Sequence, residues 1–160
     1  MPGAVVIGAG PGIGRSVARR FARAGLPIAL IARTAGTLAD AAEAVSPFGV
    51  PVVPLTADSA DETALRAALD AAADELGLPD VVVYNAALIQ PDTPGELSAR
   101  AHLDAWAVNV VGALTAAVHI APAMARRGAA AVRSSSPAAC PSRSRTMSAS
   151  PSARPASEPW

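Results

Sequence analysis

The feature that most constrains the fold is the run VVIGAGPGIG at residues 5–14. A short apolar strand leads directly into a glycine-rich turn, and an arginine-rich helix follows. Glycine lets the backbone turn sharply and approach another group closely, because it has no Cβ. The start of the helix offers free N–H groups and a partial positive charge. This order predicts the strand–turn–helix unit of an α/β protein, with an anion-binding turn.

The alternation of strand and helix continues to about residue 128. Apolar runs predict strands at 4–7, 28–32, 50–55 and 80–84, and helical spacing predicts helices at 12–24, 37–45, 59–76 and 98–127. A fifth strand could begin at 129–132. Strand–helix units of this length predict a Rossmann-like, doubly wound parallel sheet.

Three local patterns refine this interpretation. Ile13, Val17 and Phe21 form the predicted apolar stripe of the first helix. Two prolines in the third strand predict an edge or strand-end position, since proline cannot donate to a sheet ladder. Residues 59–62 have the pattern of a capping box that opens the third helix.

Composition narrows the function classes. The chain has 160 residues, enough for one domain, and a net charge of +0, which does not suggest a nucleic-acid or membrane-surface partner. The single cysteine, Cys140, cannot form an internal disulfide, and no Cys/His spacing indicates a metal site. The N-terminus lacks the basic region of a signal peptide. We therefore expect a soluble cytoplasmic domain without a metal.

One segment could be mistaken for a membrane span, because no charged residue lies between Asp104 and Arg126. Asn109, His119 and Pro122 interrupt it, and alanine rather than leucine dominates it. A buried or interface helix is the preferred interpretation.

The glycine spacing separates two kinds of dinucleotide site. A G-x-G-x-x-G fingerprint would need a small residue at Ile13, whereas G-x-x-x-G-x-G fits Gly8, Gly12 and Gly14. The second strand leads into Arg33 rather than into an acidic residue that would bind ribose hydroxyls. A guanidinium there can pair with a 2′-phosphate, which favours NADP(H) over NAD(H). The alternative for Arg33 is a solvated loop arginine.

On these residues the chain resembles the short-chain dehydrogenase/reductase family over about residues 3–128. The glycine loop is similar to the family's cofactor loop, with Gly8 replacing part of its usual Thr-Gly opening. Asp58 matches the acidic residue that contacts adenine, and residues 84–87 are a degraded form of Asn-Asn-Ala-Gly in which Asn85 and Ala86 match. Asn109 matches the helix asparagine of the catalytic tetrad.

The resemblance implies hydride transfer between NADP(H) and a small carbonyl or alcohol substrate. It implies that Asn109 is catalytic, and that the cofactor is held by Gly8, Gly12, Ile13, Gly14, Arg33, Asp58, Asn85 and Ala86. It also implies a homodimer through the helix at 98–127.

Each polar candidate has a structural alternative. Asp58 could help to cap the third helix, Asn85 could be a turn residue, and Asn109 could be an ordinary polar residue of a helix. His102 and His119 lack partners at ligand or triad spacing and are interpreted as structural.

The resemblance fails where proton transfer is expected. Family members use serine, tyrosine and lysine after the fifth strand, and residues 134–136 resemble only the serine. The sequence contains no lysine, and its one tyrosine, Tyr84, lies in the fourth strand, where we expect it in the core. We therefore expect no turnover by the chain as written, and weak or absent NADPH binding.

Residues 129–160 form a low-complexity tail of serine, proline, alanine and arginine, which predicts disorder from residue 133. The expected domain is thus an incomplete dinucleotide-binding unit at 1–128. One hypothesis is a frameshift near codons 128–133, since residues 145–160 read one base out of frame, under permitted codon choices, give DYVSLSVGKAGLRAL. The alternative is a non-catalytic dinucleotide-binding or interaction module with a partner-binding tail. A methyltransferase is a third option, against which Arg33 argues.

Overall fold

A computed structural model of the chain describes residues 3–90, 95–128 and 131–134. The strands are β1 Ala4–Ile7, β2 Ile28–Ala32, β3 Val52–Thr56, β4 Val81–Tyr84 and β5 Ala131–Ser134. The helices are α1 Ile13–Arg23, α2 Ala35–Val45, α3 Glu62–Leu76, α4 Ala99–Trp106 and α5 Gly112–Arg126. A short 3₁₀ turn, Ser46–Phe48, follows α2, and a π-helical segment, Ala107–Val111, joins α4 to α5.

The strands form one parallel sheet in the order β3-β2-β1-β4-β5. The chain therefore builds outward from β1 in one direction, through β2 and β3, and then in the other, through β4 and β5. This confirms the Rossmann-like fold, and β3 is an edge strand of the described sheet, as its prolines predicted.

The core has two layers because alternate side chains of each strand point to opposite faces. Val5 and Ile7 of β1 pack on the face covered by α3 and α5, whereas Ala4 and Val6 pack on the face covered by α1 and α2. Every residue of β1 and β2 is buried. That burial explains their unbroken apolar sequences.

The apolar stripe predicted for α1 is wrong at its first residue. Ile13 is 63% exposed, and the buried face of α1 consists of Gly14, Ala18 and Ala22. Small side chains on that face let the helix axis lie close to the sheet, so Val17 and Phe21 cover only the edge of the core.

The capping box predicted at 59–62 is also wrong. Asp61 caps α3, and its carboxylate accepts hydrogen bonds from the N–H groups of Thr63 and Ala64 at 2.9 and 3.0 Å. Ser59 is buried instead, with 6% of its surface exposed. Its hydroxyl is therefore available to the interior of the protein.

Strand β5 extends further than the sequence indicates. It pairs in parallel with β4, and it includes Arg133 and Ser134, where we expected the tail to have begun. The sheet thus continues beyond residue 128. The expected disorder of residues 135–160 falls on positions outside the described residues.

The span Ala99–Arg126 is a single 28-residue helical unit, long and apolar enough by length and composition to cross a membrane. Its inner face packs on α3 and β4 and buries Thr115, Ala116, Ile120 and Met124. Its outer face carries exposed apolar side chains, namely Leu103, Trp106, Leu114 and Val118.

Candidate functional site

A cleft of about 340 Å³ lies at the carboxyl ends of β1, β2 and β4. The order in which strands are added to the sheet reverses at β1, with β2 on one side and β4 on the other, and ligands of open α/β sheets bind at such switch points. The lining residues are Ile7, Gly8, Gly10, Pro11, Ile31, Ala32, Arg33, Thr34, Thr37, Ala57, Ser59, Asn85, Ala86, Ala87, Leu88 and Val108.

The glycine loop forms the floor of the cleft through close backbone packing. Gly8 has a φ of 85°, and a Cβ there would overlap the backbone of Asn85 and Ala86. A Cβ at Gly14 would overlap the carbonyl oxygen of Gly8. Gly12 caps α1 with a φ of 102° and offers no side-chain acceptor to the helix. The N–H groups at the start of α1 thus have no side-chain cap from this residue.

Asn85 joins the end of β4 to this loop. Its Nδ2 donates a hydrogen bond to the carbonyl oxygen of Gly8 at 3.0 Å. The contact spans the sequence from β4 back to β1, so Asn85 is more than a local turn residue. The structure brings Asn85, Ala86 and Gly8 together at one wall of the cleft.

Arg33 and two threonines lie at the opposite wall, where β2 ends. Arg33 is exposed and lines the cleft, and no ion pair to it occurs among the residues that the structure describes. Thr34 caps α2, accepting from the Thr37 N–H at 3.3 Å and donating to the Thr37 hydroxyl at 2.8 Å. This cap starts α2 at Ala35, two residues before the predicted start.

Both threonines line the cleft, and neither is among the site residues predicted from the sequence. The signal that could have found them was a threonine placed before an apolar helical pattern, where an N-cap is expected. The wall therefore presents a cation, two hydroxyl groups and the N-terminus of α2 at one place.

Four of the predicted cofactor residues lie outside the lining of the cleft, namely Gly12, Ile13, Gly14 and Asp58. Asp58 is exposed, and its carboxylate accepts a hydrogen bond from the Ala60 N–H at 2.9 Å, while its neighbours Ala57 and Ser59 form the wall. Ile13 is exposed at the first turn of α1. Asp58 is thus at the rim formed by Ala57 and Ser59, and Ile13 follows the lining residue Pro11 by two positions.

Asn109 lies in the π-helical segment and clamps the backbone of Leu88. Its Oδ1 accepts from the Leu88 N–H at 2.8 Å, and its Nδ2 donates to the Leu88 carbonyl oxygen at 3.1 Å. Leu88 lines the cleft. Asn109 therefore acts on the wall through the backbone, and its side chain uses both of its polar atoms to do so.

Tyr84 is in the core, as expected, with 1% of its surface exposed. Its hydroxyl donates a hydrogen bond to the carbonyl oxygen of Val108, and the Ser59 side chain hydrogen-bonds to the same phenol. Burial raises the pKa of Tyr84 above its usual value of 10.0, and the nearby Asp58 charge adds to this while the Ser59 hydrogen bond opposes it. The phenol is therefore kept neutral.

One histidine links two of the helices. His119 on α5 contacts Asp70 on α3, with Nε2 and Oδ1 2.7 Å apart. No group of three or more His, Cys, Asp or Glu side chains that could hold a metal occurs among the described residues.

Comparison with known proteins agrees with this geometry. The family model for short chain dehydrogenases matches residues 3–150. The chain is 35% identical over 129 residues to glycine betaine reductase of Emericella nidulans, covering 78% of this chain and 10% of that protein. It is 32% identical over 130 residues to cis-4-hydroxycyclohexanecarboxylate dehydrogenase of Sinomonas cyclohexanicum, covering 81% of this chain and 52% of that enzyme.

Among solved structures, the chain superposes on L-sorbose reductase from Gluconobacter frateurii, complexed with NADPH and L-sorbose. The TM-score is 0.77 at 30% identity, over 84% of this chain and 52% of the reductase chain. The chain thus spans about half the length of the dehydrogenase and of this reductase, and a smaller share of the glycine betaine reductase. From the match over most of its length, the chain belongs to the short-chain dehydrogenase family.

Proposed function

We propose that the cleft binds NADP(H), with the weak affinity expected of an incomplete domain, and that the protein belongs to the oxidoreductases that move hydride between this cofactor and a small carbonyl or alcohol compound. The observation that carries the proposal is the pairing of two features across one cleft. Gly8 and Gly14 lie too close to neighbouring backbone to accept a Cβ, and Arg33 lines the opposite wall without an ion-pair partner among the described residues.

The pyrophosphate would lie on the glycine loop, at the N–H groups that begin α1. The close backbone packing at Gly8 and Gly14 would shape the loop, the Cβ position of Gly12 is open, and the helix N-terminus favours the negative charge of the pyrophosphate. Ile13, exposed next to this loop, would cover the bound cofactor.

The adenosine end would lie at the ends of β2 and β3. A 2′-phosphate would pair with the guanidinium of Arg33 and accept a hydrogen bond from the hydroxyl of Thr37, which is held in place by Thr34. Asp58 would face the adenine from the rim. This arrangement is the reason to propose NADP(H) rather than NAD(H).

The nicotinamide end would lie on the wall formed by Asn85, Ala86 and the clamped backbone of Leu88. The bound cofactor supplies the hydride chemistry. Asn109 holds this wall in place, and a merely solvated polar residue would not use both side-chain atoms on one backbone unit.

We infer that this chain, as written, does not complete the reaction. Proton transfer in the family uses a tyrosine and a lysine, but this sequence has no lysine, and Tyr84 is buried with its hydroxyl bonded to Val108. Arginine would not substitute, because it stays charged and has a different shape. The contact between the Tyr84 hydroxyl and Val108 favours the second candidate function, a module that binds the dinucleotide without catalysis.

We also infer that the protein is cytoplasmic and pairs with a second copy through the exposed apolar face of residues 98–127. Leu103, Trp106, Leu114 and Val118 are each more than half exposed on that face. The opposite face of the same helix packs on α3, as in a globular protein, so a bilayer is not needed to explain its composition.

The test is cofactor binding by calorimetry with NADPH and NADH, on the wild-type chain and on Arg33→Ser. Loss of a charge-assisted hydrogen bond costs about 1.5–3 kcal/mol, so NADPH affinity should fall by roughly 10- to 100-fold while the weak NADH affinity is unchanged. Arg19→Ser removes the same charge from the outer face of α1 and is the matched control.

Two results would refute the proposal. Arg33→Ser could weaken both cofactors equally, which would place Arg33 away from the 2′-phosphate. Alternatively, wild-type chain could oxidise NADPH with a carbonyl substrate at an appreciable rate, which would contradict the inferred lack of turnover.

A further inference from the structure

The buried hydroxyl of Tyr84 contacts the one irregular segment of the long helical unit. In the π-helical segment the chain is wound more widely, and the N–H of Gly112 donates to the carbonyl oxygen of Ala107, five residues earlier. The next carbonyl, that of Val108, accepts from the Tyr84 hydroxyl, across 24 residues of sequence. A side chain from the sheet thus serves a backbone group of the wide turn.

Gly112 makes this contact sterically feasible. A Cβ at Gly112 would overlap the Tyr84 hydroxyl and the backbone carbonyl of Ser59. With only a hydrogen there, the helix approaches β4 closely enough for the phenol to reach Val108. Gly112 has helical backbone angles, so its value at this position is space rather than conformational freedom.

Ser59 completes the cluster. The phenol has one proton, which goes to Val108, so the Ser59 hydroxyl donates to the phenol oxygen. Ser59 and Val108 both line the cleft, while Tyr84 itself lies behind the wall. The cluster therefore fixes two wall residues from the interior side.

We propose that Tyr84 is a positioning residue: its hydroxyl holds the π-helical turn in the geometry from which Asn109 clamps Leu88 at the cleft wall. Val108 and Asn109 are adjacent, so the orientation of the Val108 carbonyl and the direction of the Asn109 side chain change together. The contacts run from Tyr84 to Val108, then through Asn109 to Leu88. Only the consequence for cofactor binding rests on the proposed function.

The direct test is amide hydrogen exchange at Leu88, whose N–H donates to Asn109. Tyr84→Phe removes the hydroxyl alone, and Leu88 should then exchange at least about tenfold faster, because the clamp opens without global unfolding. The amides of Gly8 and Ala57, which donate to Ile31 and Ala32 in the sheet, should change little. Asn109→Ala removes the clamp entirely and therefore gives the upper limit of the exchange rate at Leu88.

Three outcomes would overturn the proposal. Leu88 could exchange at the wild-type rate in Tyr84→Phe although Asn109→Ala accelerates it, or Asn109→Ala itself could leave Leu88 protected. All amides could also accelerate equally, which would show that Tyr84 serves only general stability. If Tyr84→Phe does not fold, Ser59→Ala withdraws one hydrogen bond from the same phenol and should give a smaller acceleration confined to Leu88.

A measurement of NADPH binding distinguishes this proposal from the proposed function. Where wild-type chain binds NADPH, Tyr84→Phe should raise the Kd about three- to tenfold, and adding Asn109→Ala should cost little more, since both act through Leu88. Thr115→Val, which removes a buried hydroxyl from α5 away from the cleft, should leave the Kd unchanged. If no dinucleotide binds, the proposed function fails, while exchange at Leu88 still decides the role of Tyr84.

Discussion

The glycine loop at 8–14 and the π-helical segment at 107–111 both bring backbone to the cleft, but they do so by opposite means. In the loop, Gly8 and Gly14 have no side chains, and this lets them approach other backbone closely. In the π-helical segment, the backbone is held by hydrogen bonds: Val108 accepts one from Tyr84, and Asn109 accepts one from the N–H of Leu88. The loop should therefore tolerate no added atoms at its contact points, and the segment should not tolerate the removal of hydrogen-bonding groups.

The largest effect is expected from Gly8→Ala. The new methyl group would overlap the backbone of Asn85 and Ala86, and the φ of 85° would be strained, so we expect a loss of roughly 3 kcal/mol or more in the free energy of unfolding. Urea denaturation measures it. Gly10→Ala is the control in the same loop, because nothing lies within 4 Å of its Cβ position, and it should change stability by less than about 0.5 kcal/mol.

A smaller effect, of opposite sign to its control, is expected at Gly112. In Gly112→Ala the methyl would meet the Tyr84 hydroxyl and the Ser59 carbonyl, and overpacking of this kind costs about 1–3 kcal/mol. Gly36→Ala in α2 meets nothing within 4 Å and should gain up to about 1 kcal/mol from helix propensity. If both variants are stabilised in urea denaturation, the close approach of α5 to β4 is not a constraint.

Gly8 and Gly112 show how much of the structure could be predicted from the sequence. The bounds of β1 and β2 and the importance of Gly8 were predictable, because apolar runs bounded by glycine and proline are local signals. The π-helical segment was not predictable, since it depends on a hydroxyl 24 residues earlier that the sequence marks only as a core residue. The Thr34–Thr37 cap could have been predicted from the sequence, but the apolar helical pattern begins at residue 37, so the helix was predicted to start there.

The third expected effect is a loss of stability at alkaline pH, which arises at Tyr84 and the π-helical segment and not at the glycine loop. Because the folded-state pKa of Tyr84 is raised above 10.0, the unfolded chain releases its phenol proton first as pH rises. The contribution of Tyr84 to the free energy of unfolding is therefore fully present below about pH 10, and it is lost as the pH rises from there toward the folded-state pKa. Urea denaturation across this range should show the decline in wild-type chain and a smaller one in Tyr84→Phe.

Tyr84 is the sole tyrosine, so tyrosinate absorbance reports on it alone. A native-state titration midpoint at or below about 10 would contradict the burial described here.

The smallest effect on the folding of the isolated subunit is expected on the outer face of the long helix. Leu114→Asp places a charge on the exposed apolar face and should convert the inferred dimer to a monomer with little change in subunit fold, as measured by sedimentation. Ile89→Asp, at a side chain 79% exposed on the loop after β4, is the control and should leave the mass unchanged. A monomeric wild-type chain would refute the inferred dimer.

An NMR titration with NADPH, followed at the backbone amides, shows directly whether the cleft between the glycine loop and Arg33 binds NADP(H). We expect saturable shifts at Gly8, Arg33 and Leu88 and at their neighbours around the cleft, with smaller shifts from NADH near Arg33. Arg19, Arg20 and Arg23 line a separate basic groove on α1 that could attract any polyanion. Shifts confined to that groove, or no shifts at millimolar NADPH, would show that the cleft does not bind NADP(H).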